Sequence, residues 1–188
     1  MKHLRLYENF SPDMEEFSYG TEHVLYQDPA HPDRLYKRIE TKSLERFEDI
    51  VSLFQQHPHI FPRIYKRGAD WINIEKLDTA QARREYDLLA DFLGEDDFLD
   101  EYNPDWEELD PKFADAPAGI LQIWQRWSVL LTEYTQIYLA FKREKETAFL
   151  SMGIEDYAKM KDTTIAGNDI HRDQFGYSKT GRLKILDI

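Results

Sequence analysis

Apolar and polar residues recur with two different periods along this chain, and the switches between them mark out its elements. Residues 17–26 carry Phe17, Tyr19, Val24, Leu25 and Tyr26 around Gly20, a pattern that predicts extended strand. Pro29 and Pro32 place a turn over 27–33. Arg34 to Ile39 predicts a second strand, with Leu35 and Lys37 on one face and Tyr36 on the other, so the two form a β-hairpin with a longish loop. The period then becomes helical. Ser43 suits a cap, and Leu44, Phe47, Ile50, Val51 and Phe54 repeat at helical spacing to about Gln56, where His57-Pro58 ends the run. At about 100° per residue, Glu48 falls on the flank of that stripe and Glu45 nearly opposite it. Two more short strands, 60–65 and 71–75, flank the turn Arg67-Gly68-Ala69-Asp70.

From residue 79 the pattern is mostly helical. A helix is expected from Thr79 to about Leu93. The longest runs from Ile120 to about Glu146, with Ile120, Ile123, Trp124, Trp127, Leu130, Leu131, Tyr134, Ile137, Tyr138 and Phe141 forming one apolar face that reads as core. A short helix is expected around 155–160. The polar segment Gly167 to Tyr177 follows, and the chain closes on the turn Ser178-Lys179-Thr180-Gly181 and a strand from Arg182 to Leu186. The order gives an α+β fold class, with a β-rich part over 1–78 and an α-rich part over 79–188.

Composition narrows the function. The chain has 188 residues, 41% hydrophobic and 14% aromatic, enough for a sizeable core. A formal net charge of −12 argues against a nucleic-acid backbone or an anionic membrane as main partner, though a few local cationic groups still suffice for a phosphate ligand. There is no cysteine, which removes disulfides, thiol catalysis and Cys-type zinc sites. The first residues hold no apolar run of signal-peptide length, and no run of about 18 apolar residues occurs anywhere. A cytoplasmic location is the expectation. Residues 95–111 crowd nine carboxylates, Glu95, Asp96, Asp97, Asp100, Glu101, Asp105, Glu107, Glu108 and Asp110, beside Pro104 and Pro111. The alternate ligand spacing and tight-turn glycine of a calcium loop are missing, so this reads as a solvated acidic loop.

Phosphoryl transfer from ATP needs few groups: a lysine on the phosphates, an acid that holds it, a carboxylate that orients the acceptor hydroxyl, and hard oxygens for Mg²⁺. Lys37 lies in the strand Leu35-Tyr36-Lys37-Arg38-Ile39, and Glu48 follows on the next helix. His57-Pro58-His59-Ile60 then leads to Ile74-Glu75-Lys76-Leu77. Near the end, Asp169-Ile170-His171-Arg172-Asp173-Gln174-Phe175-Gly176-Tyr177 precedes Gly181-Arg182-Leu183-Lys184-Ile185-Leu186-Asp187.

The first set resembles the N-terminal lobe of protein kinases, with its lysine strand, helix glutamate, H-P-x-I turn and hinge. The second resembles the catalytic loop of the superfamily, D-[LI]-H-x-x-N, and the hairpin that delivers a metal-binding Asp. It is similar to the aminoglycoside-phosphotransferase-like and other atypical bacterial kinases. The interval from Gln174 to Asp187 matches the family's interval from Asn to that Asp. His171-Arg172-Asp173 also spells the H-R-D of ordinary protein kinases, but from Asp173 the interval to Asp187 is too short, so the catalytic position goes to Asp169.

The resemblance implies a bilobal kinase-like fold using ATP and Mg²⁺. Lys37 would contact phosphates and Glu48 would pair with it. The strand around Gly20 would cover the nucleotide, and the backbone of Glu75 and Leu77 would face the adenine edge. Asp169 would orient the acceptor hydroxyl, and Gln174 and Asp187 would hold Mg²⁺. The chain departs from the family in three ways. One glycine, Gly20, stands for a glycine-rich loop, beside Tyr19 and Glu22. Gln174 replaces Asn, and the extra methylene displaces the amide by more than about an ångström, an error that can cost about a hundredfold in rate. The match also stops at Asp187, which implies a truncated C-terminal lobe. The resemblance therefore implies either a phosphotransferase, a pseudokinase that binds nucleotide or protein, or an assembly component with a kinase-derived fold. An under-covered aromatic helix, Ile120–Phe141, implies self-association or a protein partner.

Overall fold

A computed structural model describes residues 15–19, 23–27, 30–39, 44–94, 99, 109–151 and 172–186. It shows a mixed α and β architecture of antiparallel strands and helices in two compact units, Met1–Leu77 and Asp78–Ile188.

The first unit is a five-stranded antiparallel sheet with one helix. Its strands are β1 (Glu15–Tyr19), β2 (His23–Gln27), β3 (Arg34–Ile39), β4 (Ile64–Arg67) and β5 (Trp71–Glu75), in the order β1-β2-β3-β5-β4. Residues 17–26, expected as one strand, are two: Tyr19 pairs with Val24, so the chain reverses between them. Alternation continues through a tight reversal, which is why the apolar pattern alone did not show it. The strand expected over 60–65 begins only at Ile64. The amides of Ile60 and Phe61 both donate to the His57 carbonyl, so the Pro58 turn extends to Phe61. Both side chains are buried, and Phe61 stacks on Phe54 with ring centroids 4.8 Å apart.

Helix α1 (Leu44–Gln56) buries Phe47, Ile50, Val51, Leu53 and Phe54. In the β4–β5 turn the Gly68 amide donates to the Trp71 carbonyl, and a Cβ on Gly68 would lie well inside van der Waals contact with the Trp71 indole. Trp71 is buried and cannot swing aside freely. Gly68→Ala should therefore cost about 1–3 kcal/mol of unfolding free energy, read as a shifted urea midpoint. An unchanged midpoint would mean that the indole repacks at no cost.

The second unit begins at Asp78. Its carboxylate accepts from the amides of Ala80 and Gln81 and caps helix α2 (Thr79–Leu93), which Gly94 ends in the left-handed conformation, φ 72°. Pro111 opens the short helix α3 (Asp110–Phe113). Asp110, grouped by sequence with a solvated acidic loop, accepts the indole N–H of Trp124 at 2.7 Å. Most of that acidic stretch, 95–98 and 100–108, lies outside the described residues. Helix α4 (Ala118–Ser151) exceeds its expected bounds at both ends. Of its expected face, Trp124, Trp127, Leu130, Leu131 and Tyr134 are buried, whereas Ile137, Tyr138 and Phe141 are only half-buried. No helix among the described residues is long and apolar enough to cross a membrane.

A 3-10 turn (Arg172–Gln174) leads into a two-stranded hairpin, β6 (Phe175–Tyr177) and β7 (Leu183–Ile185). Phe175–Tyr177, expected within a polar segment, are buried and pair with Leu183–Ile185. The turn closes through Gly181, φ 77°, whose amide donates to the Ser178 carbonyl. The expected helix at 155–160 lies outside the described residues.

Candidate functional site

In the first unit, Lys37 pairs in register with Leu25 on one side and Ile72 on the other. Cross-strand partners share a face, and alternate residues return to it. Lys37 thus belongs to the face that carries Leu25, Leu35, Ile72 and Ile74. Lys37 is 2% exposed, and the same face also carries Gln27 and Arg67. The opposite face carries Tyr36, Arg38, Trp71 and Asn73; the Tyr36 and Trp71 rings lie 5.5 Å apart, and Arg38 reaches Asp70 at 3.5 Å.

The resemblance implies Glu48 as the partner of Lys37; in the structure Glu48 engages Arg67. The Glu48 side chain is 59% exposed, and its carboxylate bonds the Arg67 guanidinium at 2.5 Å. The cause lies in how α1 is buried. The buried arc extends from the Phe47–Phe54 stripe to the flank away from Glu48, through Leu53 and Asp49. Asp49 of α1, at 9% exposure, is buried, and helical periodicity alone does not single it out.

Glu75 pairs with Arg34, and its amide donates to the Arg63 carbonyl; the Lys76 amide donates to Asp33. Those two donors are held within the first unit. Leu77 is 5% exposed. Gly20 lies outside the described residues.

In the second unit, Gln174 ends the 3-10 turn. Its carbonyl accepts the Leu186 amide at 2.6 Å, next to the Phe175–Ile185 pair. The hairpin therefore sets Gln174 opposite the residue that precedes Asp187. Asp169 and Asp187 themselves lie outside the described residues. Arg172 and Asp173, of the H-R-D spelling, form ion pairs with α2: Arg172 with Asp87 and Asp173 with Arg83, each at 2.8 Å.

A buried polar cluster, unanticipated from sequence, lies behind this hairpin. Glu85 of α2 is 7% exposed. Its Oε2 accepts from the Tyr177 hydroxyl at 2.5 Å and the Trp127 indole at 3.0 Å. Its Oε1 accepts from Arg126 at 3.0 Å and Gln81 at 3.2 Å. Arg126 Nε also donates to the Tyr177 oxygen at 3.3 Å. Burial pushes the Glu85 carboxyl up, but its hydrogen bonds and the Arg126 charge outweigh that and hold it below its ordinary value. Burial and the Glu85 hydrogen bond push the Tyr177 phenol up to about 12.

These shifts set two pH limits. Glu85, with a depressed folded pKa, adds stability that is present above its ordinary 4.5 and is lost as pH falls through the folded value. Tyr177, with a raised one, adds stability that is present below pH 10 and lost as pH climbs towards 12. Urea unfolding followed from pH 9 upward (a range set by that tyrosine) should show this alkaline loss, and Tyr177→Phe should flatten it. An identical alkaline profile in the variant would contradict the cluster.

No protein-family model matches the chain, and no curated protein does. Among solved structures it is similar to the GDP and kanamycin complex of APH(2")-IIia, at 12% identity over 98% of this chain and 69% of that chain, with a TM-score of 0.35. A TM-score that low carries no residue correspondence, so the roles of residues rest on this chain's own sequence and geometry.

Proposed function

We propose that this is a kinase-like protein that binds ATP with Mg²⁺ and transfers a phosphoryl group to a hydroxyl acceptor. The observation that carries this reading is the β6–β7 hairpin, whose register sets Gln174 opposite the neighbour of Asp187. Two metal ligands drawn from one hairpin would need neighbouring positions of this kind. Lys37, at 2% exposure, is the second support, because a solvated surface lysine would not be buried in this way. In this reading Lys37 neutralises phosphate, Asp169 orients the acceptor hydroxyl, the Leu77 amide meets the adenine edge, and Gln174 and Asp187 hold the metal.

The donor set fits Mg²⁺. No cluster of three or more His, Asp or Glu suited to a metal occurs among the described residues. Mg²⁺ on a nucleotide needs only one or two protein oxygens, the rest coming from phosphate and water. The Gln174 amide and the Asp187 carboxylate are hard oxygens of that kind. Bound there, the ion would neutralise charge on the phosphates.

One observation favours a second reading, a pseudokinase that binds nucleotide or a protein partner. Glu48 is engaged by Arg67, which competes for the acid that would hold Lys37 in an active kinase. Calorimetric titration of the full chain with ATP tests the shared core of both readings, and saturable binding is expected. Absence of binding would move the function to partner binding or assembly. Transfer of labelled γ-phosphate to any acceptor, lost in Asp169→Ala, separates the enzyme from the pseudokinase.

A further inference from the structure

We infer that Glu85 is a positioning residue: through Tyr177 it fixes the β6–β7 hairpin and so sets where Gln174 is held. The inference rests on the nucleotide reading, but its physical basis lies wholly in the second unit.

A carboxylate buried on a helix is costly unless every lone pair is satisfied. Glu85 meets that demand with four donors drawn from three elements: Gln81 on its own helix, Arg126 and Trp127 on α4, and Tyr177 on β6. A core that needed only packing would place an apolar residue here. The carboxylate is instead the point where α2, α4 and the hairpin share hydrogen bonds, and such networks specify one geometry. Around it, the amides of Asp78 and Tyr177 exchange bonds with each other's carbonyls at 2.8 and 3.0 Å. Phe175 packs on Trp127 with ring centroids 4.6 Å apart.

The segment Arg172–Tyr177 is thus clamped to α2 at both ends. Two ion pairs hold Arg172 and Asp173, and the Glu85 cluster holds Tyr177. The ion pairs are about half exposed and contribute little. The buried end therefore does the fixing. Gln174 lies between the two clamps. Its extra methylene makes its amide position depend on how firmly the backbone on either side is held.

The test uses the full chain with Glu85→Gln and the milder Tyr177→Phe, and two readouts. Amide hydrogen exchange by NMR follows the bonded amides of Tyr177, Ser178 and Leu186, with Leu130 and Leu131 of α4 as reference. Calorimetry follows the gain in ATP affinity that Mg²⁺ provides. Exchange at the hairpin amides is expected to speed up by about tenfold or more while α4 is unchanged, tenfold being the low end of the factor for losing one hydrogen bond to a charged group. The Mg²⁺-dependent gain is expected to fall by about the same factor, with metal-free affinity retained. Unchanged hairpin exchange in Tyr177→Phe, or uniform acceleration across the second unit, overturns the proposal, since the latter is what a merely structural residue gives. If the wild-type chain shows no Mg²⁺-dependent gain at all, the nucleotide reading fails, and exchange still decides whether Glu85 holds the hairpin.

Discussion

Trp127→Ala lowers the unfolding free energy of the chain by about 3–5 kcal/mol. The residue is 0% exposed. Its ring lies 4.6 Å from Phe175 and 6.0 Å from Tyr86, so it joins α4 to the hairpin and to α2. Truncation removes that packing and leaves a void between three elements that cannot all close on it. It also takes a donor from Glu85, which leaves one lone pair of a buried carboxylate less well satisfied. Against a total stability of about 5–15 kcal/mol, this loss is a large share. Trp127→Phe keeps most of the packing and should cost less, about 1.5–3 kcal/mol for the lost bond to a charged group. Urea denaturation of both variants checks the ordering. A loss under about 1 kcal/mol for alanine would contradict the placement of Trp127 at the centre of this core.

Lys37→Met has the largest expected effect on binding. Lys37 sits on a sheet face among Leu25, Leu35, Ile72 and Ile74, and methionine matches its length without its charge. Removing one member of a buried charged contact can itself destabilise the fold, so folding and binding are read separately. ATP affinity should fall by roughly 10- to 150-fold, the value of a charge-assisted bond to phosphate at about 1.5–3 kcal/mol. Calorimetry and thermal denaturation on the same sample read both. A destabilised variant with unchanged ATP affinity would make Lys37 structural and remove it from the site.

What was legible in the sequence follows the range of the interactions concerned. Helix α2 matches its expected bounds, Thr79 to Leu93, and both ends are fixed locally, by the Asp78 cap and the left-handed Gly94. The β2–β3 and β4–β5 hairpins were legible from Pro29 and Pro32 and from Gly68. The reversal after Tyr19 was not, since alternation carried on through it. Ile60 and Phe61 looked like strand because apolar residues in a buried turn cannot be told from a short strand by pattern.

The candidate site divides the same way. Leu35 and Lys37 share a face as the alternation predicts. The fate of Glu48 was not readable, because Arg67 reaches it from 19 residues away and the buried arc of α1 depends on tertiary packing. Glu85 is a plain helical glutamate in sequence. Its partners Trp127 and Tyr177 stand 42 and 92 residues further on. The only early hint was chemical: indole, phenol and guanidinium groups on otherwise apolar segments need an acceptor when buried.

The central claim is that Gln174 and Asp187 form the metal side of a nucleotide site. Titration of the full chain with ATP, with and without Mg²⁺, beside Asp187→Ala, tests it most directly. The account predicts Mg²⁺-dependent binding in the wild-type chain that disappears in the variant while the metal-free affinity stays. Equal binding by both chains under both conditions would contradict it.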